Sequence, residues 1–199
     1  MNINTKKMKF LRTFLQFLDK FDWNLDTFKK TQKKLKYSDN LANSLFPNNI
    51  DDLLLFFNNF INIKMINIYK KKRFNKSSVR SKILNSLKIR FGILNQYRNS
   101  IKKSIKYLSR PSKQFLSTKL IYNIVDAIWT NIGDKSKDIN FYSKRVILAT
   151  IYGSAILFWL NDNSKNLDKT NNFLEKSIMN MNVISSLKEN FRKKFSNFL

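Results

Sequence analysis

Residues 134–162 read DKSKDINFYSKRVILATIYGSAILFWLND, and the apolar run that begins at Val146 decides the fold. From Val146 to Leu160 no residue carries a charge. At helical rise the run covers about 22 Å, short of the ~20 residues that a membrane crossing needs, so it predicts a helix buried in a protein interior. Ala149, Gly153 and Ser154 are small residues at one-turn spacings. They suit either a closely packed neighbouring helix or a void for an apolar guest.

Working outward, apolar residues recur at helical spacing through most of the chain. Phe10, Leu11, Phe14, Leu15, Phe17, Leu18 and Phe21 mark a first helix, apolar on more than one side. A second is expected over 24–34 and a very short third over 38–46, with Ser38 as cap and Pro47 as stop. Three small helices in a row suggest a helix-turn-helix-like head over 7–48. Asn49 is the expected cap of a fourth helix, with Asp51 and Asp52 in its first turn, where the dipole favours acids.

Ile83 to Leu94 and Tyr97 to Leu108 supply two further helical patterns, and 115–132 a strongly amphipathic one closed by Gly133. After the apolar helix comes one more, over 167–181. The segment over 183–199 forms a basic amphipathic pattern, in which Leu187, Phe191 and Phe195 share a face beside Lys194. Bulky aromatics and lysines on one terminal helix suit the surface of an anionic membrane. The middle part, 49–182, reads as the helical core.

Composition agrees with an all-α chain. Only 3 Gly and 2 Pro occur in 199 residues, and no Asn-Gly or Asp-Gly hairpin signal is present. There is no Cys and no His, which removes disulfides, thiolate nucleophiles, Cys/His zinc sites and imidazole chemistry together. Two glutamates, Glu175 and Glu189, are too few for a carboxylate–histidine di-iron bundle. No nucleophile–base pair, metal constellation or Gly-rich phosphate loop appears, so the chain is expected to be no enzyme and to need no cofactor. The formal charge of +25 attracts polyanions. It is discounted here, because Lys, Asn, Ile and Phe are over-used together, as an A/T-biased coding sequence would make them.

The motifs VDAIW at 125–129, GDKSKDINFYSKR at 133–145 and LFWLNDNS at 157–164 resemble the Coq-nine family, lipid-binding accessory proteins of ubiquinone biosynthesis. DKTNNFLEKSI at 168–178, LFP at 45–47 followed by Asp52-Leu53 and Phe56-Phe57, and FDW at 21–23 extend the likeness to about residues 8–182. Departures from the family pattern include Phe141 and Asn171 for Trp, Ser177 for Arg, and Asn48-Asn49 for a basic-glycine pair.

The resemblance implies a TetR-like helical bundle with a vestigial helix-turn-helix head and an apolar C-terminal domain that pockets an isoprenoid lipid. It implies a homodimer, and a surface patch that presents a prenylated quinone intermediate to the demethoxyubiquinone hydroxylase. On matching positions that patch comprises Asp126, Ile128, Phe141 and Tyr142, with Arg145 anchoring the start of the apolar helix. A prenylated quinone is nearly insoluble, so handing it over needs an apolar cavity and membrane contact. Leu120, Ile124, Ile128, Leu148, Ile151, Tyr152, Gly153, Ala155 and Ile156 are the expected lipid-lining residues. Leu187, Phe191, Lys194 and Phe195 are the expected membrane contacts. The chain shows no import presequence ahead of the domain, so the expected location is bacterial: cytoplasmic and peripheral to the inner membrane.

A TetR-type DNA-binding regulator is the alternative. Its would-be recognition helix, SDNLANSLF at 38–46, contains no Lys or Arg and includes an acid. It offers neither phosphate anchors nor an arginine for guanine, so DNA is not the expected partner.

Overall fold

A computed structural model describes residues 2–72, 74, 77–136 and 139–181. The expected membrane contacts Leu187, Phe191, Lys194 and Phe195 lie outside the described residues. Within them the chain is all-α, with nine α-helices, two 3-10 turns and no strand. These are α1 (Ile3–Phe17), α2 (Leu25–Leu35), α3 (Asp39–Leu45), α4 (Ile50–Lys71), α5 (Val79–Asn95), α6 (Arg98–Leu108), α7 (Gln114–Asn131), α8 (Ile139–Leu160) and α9 (Asp168–Met179).

The chain divides into two compact units, one of residues 1–64 and 93–120, the other of 65–92 and 121 onward. The first is built on aromatic rings. Phe10 meets Phe28 and Phe46 at centroid distances of 4.7 and 5.3 Å, and Phe14 meets Trp23 at 4.8 Å. All five side chains are essentially inaccessible to solvent. Trp23 also donates its indole N–H to the Ser100 carbonyl at 2.9 Å, satisfying a buried polar atom and tying the loop before α2 to α6.

Local capping explains where the small helices start. Asn24 accepts from the Thr27 N–H at 2.9 Å, and Ser38 from the Leu41 N–H at 3.3 Å, each supplying an acceptor to an orphan donor of the first turn. Lys103 donates to the Leu18 and Phe21 carbonyls at 2.7 and 2.8 Å, closing the end of α1. Phe21 therefore lies beyond the helix that its apolar pattern predicts.

The start of α4 differs from expectation. Asn49 adopts a left-handed φ of 47°, and Asp52 reaches back to accept the Asn48 N–H at 2.7 Å. Asn is the non-glycine residue that best tolerates this conformation, which accounts for its standing where the family pattern has glycine. Asp51 accepts from Tyr107 Oη and Lys113 Nζ, both at 2.7 Å, fastening the region around Pro111 to α4.

In the second unit, α8 is the central element. Leu148, Tyr152, Ala155 and Trp159 recur at one-turn spacing and are buried, while Val146 and Leu157 are exposed, so the helix is buried along one side and not all round as its uncharged run predicts. Phe91 of α5 touches Tyr152 and Trp159 at 5.8 and 6.2 Å. Arg90, 1% exposed, sets its guanidinium over the Tyr152 ring and donates to its hydroxyl at 3.3 Å. Lys88 pairs with Glu175, joining α5 to α9. By length and composition alone α8 would also satisfy a membrane crossing, but one whole side of it is occupied by this protein interior.

Candidate functional site

Both ends of α8 are fixed by the same device, an Asp-x-Ser triplet. Ahead of the helix, Asp134 accepts from the Ser136 hydroxyl at 2.8 Å and from Lys144 Nζ at 2.9 Å. Behind it, Asp162 accepts from the Ser164 N–H at 2.8 Å and from the Ser164 hydroxyl, then from the Thr170 N–H and hydroxyl at 2.9 and 2.6 Å. The second carboxylate thereby anchors α9 onto the end of α8.

Burial raises the Asp134 pKa, but Lys144 and the Ser136 donors outweigh it and leave the group below the usual carboxylate range. At Asp162 burial likewise opposes ionisation. The hydroxyl and backbone donors of Ser164 and Thr170 overcome it by a wider margin.

At the N-terminal end of α8, Arg145 gathers the neighbourhood. It is almost fully buried and pairs with Asp126 of α7 at 2.7 Å and Asp134 at 3.4 Å. It also donates to the Phe141 carbonyl at 3.2 Å, and its guanidinium lies 3.4 Å from the Phe141 ring centroid. Trp129 adds a bond from its indole N–H to the Lys144 carbonyl at 3.3 Å, under the Lys144 ammonium. Three consecutive elements are thus held in one arrangement: α7, the turn closed by Gly133 with φ of 87°, and the first turns of α8. Arg145 does sit where it anchors α8, and a planar guanidinium suits that task because it can serve two carboxylates and a ring together.

Of the expected patch, Asp126 and Phe141 meet at Arg145, and Tyr142 edges against Phe141 at 5.2 Å with most of its surface exposed. Ile128 is fully buried, so it lies beneath the patch rather than on its surface. Among the expected lipid-lining residues, Ile124, Ile128, Leu148, Ile151, Tyr152 and Ala155 are buried in this unit, and Ile156 is partly covered. Leu120 is buried too, at the last position of the first unit. Gly153 is placed differently. A Cβ built there meets nothing within 4 Å.

Gly153 belongs to an open stripe of α8. Tyr142, Val146, Gly153 and Leu157 follow one another at steps of four, seven and four residues, one or two helical turns each, and the three side chains are exposed by 58% or more. Phe158, beside this stripe, stacks on Phe173 of α9 at 4.8 Å. Open space and a helical backbone lead to a direct expectation. Gly153→Ala should stabilise the chain by ~0.5–1 kcal/mol, the mid-helix difference between the two residues, raising Tm by about 2–3 °C. Calorimetry checks this, and a lowered Tm would mean that the face is covered in the assembled protein.

Sequence reasoning missed Asp162 and Arg90. The first had a signal, since Asp-x-Ser occurs twice and flanks the apolar run both times. The buried arginine had none, because its place between lysine-rich segments reads as surface.

Comparison with known proteins finds a family match in this same region and relatives that align over most of the chain. The family model described as COQ9 matches residues 115–185, which include Asp126, Asp134, Arg145 and Asp162. The chain is 26% identical over 85% of its length to the probable ubiquinone biosynthesis protein coq9, mitochondrial, of Dictyostelium discoideum. It is 27% identical over 92% to ubiquinone biosynthesis protein COQ9-B, mitochondrial, of Xenopus laevis, and 25% identical over 87% to the COQ9 protein of Homo sapiens. The chain spans 57%, 65% and 57% of the length of these three relatives.

Proposed function

This chain belongs to the COQ9 family, and from that premise we propose that it serves ubiquinone biosynthesis as a non-enzymatic accessory protein. It holds a prenylated quinone intermediate against the apolar side of α7 and α8 and presents it to the demethoxyubiquinone hydroxylase at the surface of a membrane. The reading rests on one coincidence: the residues that carry the family likeness are those that join a buried apolar helix pair to a patch with an exposed tyrosine. Arg145 fixes Phe141 and Asp126 in that patch, so the partner would meet a preformed surface and pay little ordering entropy. The three short helices α1 to α3 are read as a helix-turn-helix head that has lost its DNA contacts, since α3 has no cation.

Mass spectrometry of the organic extract of protein purified without detergent tests the reading. Enrichment of a prenylated quinone precursor over a basic helical control protein of the same size is expected. A lipid-free extract from folded protein would overturn the carrier role.

The patch has its own test. Asp126→Lys should weaken hydroxylase binding at least tenfold while far-UV circular dichroism stays unchanged. The Asp126 side chain is 38% exposed and Asp134 still faces Arg145, so losing this pair costs only ~1 kcal/mol. Undiminished binding by the folded variant would remove Asp126 from the interface.

A further inference from the structure

The first unit contains an open groove of about 590 Å³ between α1, the middle of α4 and the start of α6. That volume falls in the range of small-molecule sites. Leu15 of α1 and Phe60 of α4 give an apolar floor over the buried Leu11, and the Tyr97 ring closes one end. Around this floor stand three cations from three different segments: Arg12, Lys64 and Arg98. Asp19 is the one acid in the lining, so the groove carries a formal excess of positive charge.

Two of the cations are held in place. Lys64 donates to Gln96 Oε1 at 2.8 Å and lies over the Tyr97 ring at 5.6 Å, while Arg98 donates to Asn95 Oδ1 at 2.9 Å. Gln96 and the Tyr97 ring are neutral, so these contacts orient the Lys64 charge without neutralising it. The first turn of α6 also faces the groove and has no side-chain cap. A helix start alone would not make a site; the side-chain cations above an apolar floor are what select a ligand.

We propose that this groove binds an anionic amphiphile, a molecule with a phosphate group at one end and a short apolar body. The phosphate meets Arg12, Lys64 and Arg98, and the apolar body lies along Leu15 and Phe60. Charge-assisted bonds to phosphate give orientation, while the floor rejects a fully hydrated ion. The site belongs to the first unit and does not depend on the carrier role proposed above.

Titration calorimetry of the full chain with dihexanoyl phosphatidic acid below its micellar concentration is the test. One saturable site is expected, with at least tenfold weaker binding of dihexanoyl phosphatidylcholine and of inorganic phosphate. Arg12→Glu and Lys64→Glu should each weaken binding tenfold or more. Lys33→Glu, an exposed charge change on α2 away from the groove, should leave it unchanged. Equal loss on Lys33→Glu would reduce the effect to the general charge of the chain and overturn the site. Equal affinity for the zwitterionic lipid would overturn the role of the cations, and equal affinity for inorganic phosphate would overturn that of the floor. Arg12 is exposed and has no partner to lose among the described residues, so its variant stays informative if Lys64→Glu misfolds.

Discussion

Arg145→Ala should lower stability by about 3 kcal/mol, which for a chain of this size is a Tm loss of ~6–12 °C. The size follows from what stays behind. Removing one partner of a buried pair costs far more than the net value of the pair, because the remaining charge is stranded in a poor solvent. Here Asp134 is 6% exposed and would keep Lys144 as its charge partner and Ser136 as a neutral donor, while Phe141 would lose the guanidinium against its ring. The Asp126 partner is better hydrated and contributes less, so Asp126→Ala should fall well below Arg145→Ala in the same melt. Arg145→Lys should recover part of the loss, since an ammonium restores charge without the planar fork. If Arg145→Ala costs under 1 kcal/mol, the network does not hold the start of α8. The patch would then owe its shape to packing alone.

The helices were legible because their signals are local. Apolar residues every three or four positions, Ser38 as a cap and Gly133 as a stop lie within one or two turns of the feature they predict, and the structure reproduces each. What was not legible depends on residues far apart in sequence. Trp23 was placed by motif alone, and its bond to Ser100 spans 77 positions. Gly153 shows the limit of periodicity: small residues at one-turn spacing look the same whether they face a neighbour, a void or open space. The open face of α8 emerged only once Leu148, Tyr152, Ala155 and Trp159 were seen to occupy the opposite side. Asp126 illustrates a further gap. Read alone it had no second acid nearby, and its partner turned out to be a cation 19 positions away.

Asp162→Ala should be as damaging as the loss of Arg145, for a different reason. The segment between α8 and α9 holds two non-glycine residues in the left-handed region, Asn166 at φ 55° and Leu167 at φ 60°. Such conformations cost of order 1 kcal/mol or more each and persist only where surroundings impose them. The buried Asp162 carboxylate imposes them by accepting the Ser164 and Thr170 N–H groups and hydroxyls on either side of the kink. Without it, donors at the fully buried Thr170 lose their acceptor, at about 1–3 kcal/mol for each unsatisfied group. A total near 3–4 kcal/mol is expected by urea unfolding. The effect must also depend on pH with a definite sign. Because the folded-state pKa of Asp162 is depressed, its contribution is complete above the unfolded value of about 3.9 and fades as pH falls below it. The difference between wild type and Asp162→Ala should therefore be constant from pH 7 to 5 and shrink steadily toward pH 2. A gap that stays constant down to pH 2 would show that packing around the side chain, and not the ionised carboxylate, anchors α9.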